Sequence, residues 1–121
     1  MTHPIRKFFF KRSLVKILWE EAEHKIVIAL YAEGAAEDFE KLAAKKQSEH
    51  DELEGELSVL ERSTTREDRE ERKILYPKRD QLKKEVAIIK GLVAKNKTQA
   101  QELRSQAAQL HHKLAFIRKQ Y

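Results

Sequence analysis

The second half of the chain carries an unbroken heptad pattern, which leaves few folds open to it. Apolar residues recur at alternating intervals of four and three, and only Asn96 interrupts them. This spacing places them on one narrow stripe of an α-helix, the a and d positions of a coiled coil, whereas a half-buried strand would alternate every second residue. A long helix must therefore lay this face against another helix. The stripe consists of Leu82, Val86, Ile89, Val93, Asn96, Ala100, Leu103, Ala107, Leu110, Leu114, Ile117 and Tyr121.

The first half of the chain carries a second, weaker stripe with the same spacing. Lys25, Lys46 and His50 interrupt it, and several of its apolar members are alanines. It predicts a second long helix with a narrow buried face. Its members are Val15, Leu18, Ala22, Lys25, Ala29, Ala32, Ala36, Phe39, Ala43, Lys46, His50, Leu53, Leu57 and Leu60.

A break between the two stripes is predicted near residues 63–65. Serine and threonine favour helix caps over helix interiors, and Thr64 with Glu67, or Thr65 with Asp68, has the spacing of a helix start. Pro77 offers a rival position, since proline inside a helix removes a backbone hydrogen bond. We expect either a kink at Pro77 or a loop that extends from residue 63 to Pro77.

The two stripes fit each other if the chain doubles back at this break. Facing pairs such as Phe39 with Ile89 and Leu18 with Leu110 then have residue numbers with a nearly constant sum. The sequence therefore predicts an all-α fold, a long antiparallel two-helix coiled-coil hairpin. We expect a single domain over 1–121, with helix one at about 12–62, the turn at about 63–65 and helix two at about 66–121.

The distribution of charge supports this pairing and limits the environment of the protein. Residues 34–62 carry nine acidic and four basic residues, whereas residues 77–121 carry eleven basic and three acidic ones. Opposite charges beside the seam favour an antiparallel pair over parallel self-association.

The absence of cysteine excludes disulfides and is compatible with a cytoplasmic location. No apolar run of about 18 residues is present, so no membrane span is expected.

The residue patterns of catalysis and of metal or cofactor binding are missing. Among the five histidines, His111 and His112 are adjacent and point about 100° apart on a helix, which does not make a metal-binding pair. No Gly-x-Ser-x-Gly or glycine-rich phosphate loop is found. We therefore expect no enzymatic activity, no metal and no cofactor. Residues 61–73, before the strong heptads, are not densely basic, which argues against a basic-zipper nucleic-acid binder.

Helix one has more apolar residues than a two-helix seam can bury. They cluster between Leu14 and Tyr31 and include Trp19, while helix two adds Phe116 near its end. Exposed apolar patches usually mark interaction sites. We expect a protein partner or self-association there, or a short third helix formed by residues 1–11 that covers the patch.

The assembled pattern resembles the central-stalk coiled-coil proteins of bacterial type III secretion, the FliJ/YscO-like family. The resemblance lies in the size of the chain, its two heptad helices and its basic end with both termini. Local sequence adds to it: residues 26–39 followed by glutamate-rich heptads, residues 63–68 opening helix two, and residues 82–89. Pro77 soon after the turn departs from what this pattern leads us to expect.

The resemblance implies a non-enzymatic stalk that inserts its termini end into a hexameric secretion ATPase and links it to the export gate, with chaperones as further partners. It implies ATPase contacts through Lys11, Arg12, Lys113, Arg118, Lys119 and Tyr121. It also implies gate or chaperone contacts through Ile74, Leu75 and Tyr76. The alternative is a helical adaptor or oligomerising scaffold of another system.

Overall fold

The computed structural model describes the backbone of residues 4–120 and the side chains of residues 10–119. Two long helices, α1 at Pro4–Glu61 and α2 at Arg66–Gln120, pack against each other, and no strand occurs within residues 4–120. Cross-helix contacts run in antiparallel order: Glu54 contacts Arg79, while Lys46, earlier in α1, contacts the later Glu85 of α2. The predicted all-α helical hairpin is thereby confirmed.

The first helix starts earlier in the chain than residue 12. Its backbone is helical from Pro4 onward, so residues 4–11 extend α1 and do not form a separate third helix. Proline is well suited to the first turn of a helix, where its missing N–H would have no intrahelical partner. The surplus apolar residues of α1 are therefore not covered by a separate helix formed from these residues.

The turn between the helices is short and is closed by local hydrogen bonds. The N–H of Asp68 donates to Thr65 Oγ1 at 3.3 Å, and the N–H of Thr65 donates to Ser63 Oγ at 3.3 Å. Thr65 thus supplies an acceptor to one of the four N–H groups that a helix start leaves without a partner. Separately, hydrogen bonds of the Asp68 carboxyl with the side chains of Ser63 and Thr65 lower the pKa of that carboxyl below its usual value.

Pro77 lies inside α2, eleven residues after the helix begins. The alternative of a loop that reaches Pro77 is therefore wrong. Helix α2 is long enough on both sides of Pro77 to lose one backbone hydrogen bond and still be held by its packing against α1.

The seam positions form the core of the protein. Every seam residue whose side chain the structure describes is buried or half-buried, including the polar members Lys25, Lys46, His50 and Asn96. A buried cluster of Ala29, Ala32 and Ala100 has Leu103 packed against it. The fully buried residues are mostly alanines, while Leu57 is the largest side chain among residues 10–119 that is less than 2% exposed.

The chain divides into two compact units, each of which contains parts of both helices. The first unit comprises Met1–Gly34 and Asn96–Tyr121, and the second comprises Ala35–Lys95 with the turn. The alanine cluster belongs to the first unit and Leu57 to the second.

Candidate protein-interaction surfaces

The first unit exposes an apolar stripe on the outer side of α1. Phe10, Ile17 and Tyr31 are separated by multiples of seven residues and are 61%, 60% and 77% exposed, with the exposed polar His24 at the position between Ile17 and Tyr31. Leu30 and Val27, which lie close to Tyr31 on the helix surface, are also exposed. Single exposed apolar residues are common, but an aligned series along one side of a helix is a candidate binding surface.

Trp19 and His111 connect the two helices of the first unit. Their rings stack with centroids 5.8 Å apart and an angle of 21° between the ring planes. The indole remains 47% exposed. A half-exposed tryptophan held by a neighbouring ring has the character of a binding hot spot, since it offers a large apolar surface at a low cost in side-chain entropy.

A bidentate ion pair lies on the same side of the first unit. Arg104 donates from Nη2 to Glu33 Oε2 at 2.9 Å and from Nε to Glu33 Oε1. The hydrogen bonds lower the pKa of the Glu33 carboxyl and raise the pKa of Arg104. Both partners remain largely accessible to water, so this pair fixes side-chain geometry more than it stabilises the fold.

The basic residues described near the two helix ends differ from Arg104 in lacking a carboxylate partner among residues 10–119. The side chains of Arg12, Lys113, Arg118 and Lys119 are exposed, and none forms an ion pair with a carboxylate among residues 10–119. Lys11 is half-buried, because it falls on the continuation of the α1 seam. Tyr121, the last ATPase-contact candidate, lies outside the described residues.

The gate-contact candidates have separate environments in the second unit. Leu75 is buried, while the Tyr76 hydroxyl donates to Glu61 Oε1 at 2.7 Å and the Arg79 guanidinium carbon lies 5.0 Å from the centre of the Tyr76 ring. The hydrogen bond to Glu61 raises the pKa of Tyr76. Ile74 is 61% exposed, so it alone of these three candidates presents most of its side chain to solvent.

Arg72 of α2 donates hydrogen bonds to backbone carbonyls at the C-terminal end of α1. Its Nη1 donates to the carbonyl oxygens of Leu60 at 2.6 Å and of Ser63 at 3.3 Å. Carbonyls in the last turn of a helix have no intrahelical partner, and a basic side chain can satisfy them. Arg72, Tyr76 and Arg79 thus hold the turn in place from one side of α2, which favours a structural role for Tyr76.

The concave regions of the second unit are open grooves. One has a volume of about 550 Å³ and is lined by Leu53, Pro77, Lys78, Gln81, Leu82 and Glu85. Next to it, Lys46 Nζ lies 2.9 Å from Glu85 Oε2, and this contact raises the pKa of Lys46 and lowers that of Glu85. Such a groove can accept an apolar side chain of a partner.

The residues that the structure describes contain neither a metal-binding cluster nor a membrane-spanning helix. Within them, no three histidine or carboxylate side chains are placed to hold a metal ion. No helix in that part of the chain has a stretch long and apolar enough to cross a membrane. No protein-family model, curated protein or solved structure matches this chain significantly.

The two heptad stripes do not include the residues of the Trp19–His111 and Glu33–Arg104 contacts, although the sequence contains a signal for the first contact. Trp19 and Glu33 are two heptads apart, and Arg104 and His111 are one heptad apart. All four follow a d position directly, at position e, and e positions of antiparallel helices lie beside each other. In the register that pairs Trp19 with His111, Glu33 faces Lys97, one heptad from Arg104, so the e positions indicate the ring stack, whereas the ion pair depends on the reach of the Arg104 side chain.

Proposed function

We propose that this protein is the non-enzymatic, cytoplasmic stalk of a bacterial type III secretion export apparatus. In this proposal the first unit enters the central opening of a hexameric ATPase, and the chain links that ATPase to the export gate. The observation that carries the proposal is a set of exposed cations of the first unit on a two-helix coiled coil, none of which pairs with a carboxylate among residues 10–119: Arg12, Lys113, Arg118 and Lys119. Acidic loops of a partner would find these charges available without first breaking an ion pair.

Within residues 74–76, we assign the proposed gate or chaperone contact to Ile74 alone. Ile74 supplies the exposed apolar side chain. Leu75 supports Ile74 by being buried in the seam, and Tyr76 supports it through its hydrogen bond to Glu61. Replacing Ile74 would then weaken the gate contact and leave the hairpin intact.

The experiment measures ATP hydrolysis by the type III secretion ATPase of the same organism, with and without this protein. The native chain should stimulate hydrolysis, and the double charge reversal Arg118→Glu and Lys119→Glu should abolish the stimulation. A matched control is Lys83→Glu with Lys84→Glu, an exposed adjacent pair on the same helix in the second unit. The proposal would be contradicted if both double variants stimulated ATP hydrolysis equally, or if the native chain did not stimulate it.

A second candidate function is a helical adaptor or oligomerising scaffold. The aligned exposure of Phe10, Ile17 and Tyr31 favours it, since such a stripe can pair with another helix. Sedimentation over a range of concentrations tests this function. A mass that rises with concentration, and that returns to the monomer value in the double variant Ile17→Glu and Tyr31→Glu, would support the scaffold. A monomer at all concentrations would count against its self-associating form.

A further inference from the structure

Two cross-helix contacts define one face of the first unit. The Trp19–His111 ring stack and the Glu33–Arg104 ion pair use residues that are multiples of seven apart on each helix. Seven residues make about two turns, so these residues lie on the same side of their helices. Ile26 lies seven residues from both Trp19 and Glu33, and therefore lies between the two contacts on α1.

This face carries apolar residues on both sides of the exposed Glu23 of α1, and it has small residues beside the aromatic ring of α2. Leu30 follows Ile26 by one turn and is 54% exposed, while Ile26 is half-buried. On α2, exposed Ala108 and Ala115 precede and follow His111 by three and four residues. Helix residues at these spacings are surface neighbours. We name this surface the tryptophan face, which consists of Trp19, Ile26 and Leu30 of α1 with Ala108, His111 and Ala115 of α2.

The tryptophan face has unequal charge at its two ends. At one end Glu33 and Arg104 neutralise each other. At the other end lie Arg12, seven residues before Trp19, and Arg118, seven residues after His111. Both arginines are exposed, and neither pairs with a carboxylate among residues 10–119. An occupant of this face would therefore meet apolar side chains interrupted by the exposed carboxylate of Glu23, one turn after Trp19, and exposed positive charge at the end formed by Arg12 and Arg118.

We infer that the tryptophan face docks an amphipathic helix of a partner protein, whose acidic residues meet Arg12 and Arg118. Its apolar stripe packs on Trp19, Ile26 and Leu30, and the alanines of α2 let its backbone come close. Charge complementarity selects an acidic occupant and sets its direction. The inference rests on the contacts of the first unit and does not require the partner to be an ATPase.

The test uses a designed 21-residue helical peptide with leucine at its a and d positions, glutamate in its last heptad, and no tryptophan. Trp19 is the only tryptophan of the chain, so its emission reports on this face alone. Adding the peptide should shift the emission to shorter wavelength, because docking removes water from the indole. A peptide with lysine in place of glutamate should bind at least about tenfold more weakly.

Matched alanine variants locate the site. Ala108→Arg places a bulky cation in the middle of the tryptophan face and should weaken peptide binding about tenfold or more. Ala94→Arg makes the same change at an exposed alanine two heptads earlier on α2, in the second unit, and should change binding by less than about twofold. Both positions are exposed, so circular dichroism should show the native helix content in each variant.

Charge variants test the acidic end of the partner. Arg118→Glu should weaken binding of the acidic peptide and strengthen binding of the lysine peptide. Lys95→Glu, an exposed control on the same helix, should change neither affinity. The inference would be overturned if Trp19 emission did not shift up to millimolar peptide, or if the two peptides bound with equal affinity. It would also be overturned if Ala108→Arg and Ala94→Arg changed peptide binding equally, or if the emission shifted with protein concentration in the absence of peptide. The last result would assign the face to a second copy of this chain.

Discussion

Lys46 and Glu85 join the two helices of the second unit through a 2.9 Å contact between Nζ and Oε2. Lys46 occupies a seam position that an apolar residue usually fills. Its stem lies along the seam while its ammonium group reaches a carboxylate of the other helix. A polar seam residue with one suitably placed partner fixes the relative register of two helices, because a shift by one heptad would remove that partner.

The buried leucine of the second unit should dominate its stability. Leu57 is 1% exposed, so Leu57→Ala removes buried apolar surface and leaves a cavity, and we expect a loss of about 2–5 kcal/mol. Val59, two residues later, is 69% exposed, and Val59→Ala should change stability by less than about 0.5 kcal/mol. Urea unfolding followed by circular dichroism compares the two, and equal losses would contradict the assigned seam.

The hydroxyl of Thr65 should cap α2, and that of Thr64 should not. Thr65→Ala removes the acceptor for the Asp68 N–H, with an expected loss of about 1 kcal/mol. Thr65→Ser should restore most of this stability, and Thr64→Ala is the matched control at the neighbouring residue. The same unfolding experiment distinguishes the two threonines. A larger loss of stability in Thr64→Ala would show that Thr64, and not Thr65, caps α2.

The stability of the hairpin should fall in acid. Hydrogen bonds lower the folded-state pKa of Glu33 and Glu85 below 4.5. A carboxyl with a lowered folded-state pKa contributes its full stability above its unfolded pKa and loses that contribution as the pH falls through the folded value. The melting temperature should therefore decline from about pH 5 downward. The variant Glu33→Gln with Glu85→Gln should show a shallower decline over the same range.

The ring of His111 should partly shield Trp19 from water. His111→Ala removes the stacked ring, so the emission of Trp19 should move to longer wavelength and its anisotropy should fall. His112→Ala changes the neighbouring histidine, for which the structure shows no ring contact with Trp19, and should leave both properties unchanged. Identical spectra of the two variants would argue against the stack.

The sequence predicts the fold better than it predicts the surface. The heptad stripes predict two paired helices because burial of an apolar face depends only on spacing, and each described stripe residue is buried or half-buried. Helix α1 begins at Pro4 and not near residue 12 as predicted, since the weakly patterned residues before residue 12 have no heptad signal. The sequence leaves open a loop that ends at Pro77, whereas α2 continues through this residue.

The candidate surfaces depend on details that spacing does not contain. The excess of apolar residues between Leu14 and Tyr31 indicates a binding surface, but not which of them are exposed. The engagement of Tyr76 by Glu61 depends on the reach and rotamers of long side chains across the turn. Such contacts need the register and the side-chain directions of both helices, which the structure supplies.

The most direct test of the account measures one distance between the two helices of a single chain. The protein has no cysteine, so Glu33→Cys with Arg104→Cys introduces two unique labelling positions, both at surface sites of the first unit. Double electron–electron resonance on spin-labelled protein, diluted with unlabelled protein, should give a distance of about 25 Å or less if α1 packs on α2 of the same chain. A distance near 100 Å, as expected for 71 residues of continuous helix at about 1.5 Å per residue, would contradict the hairpin.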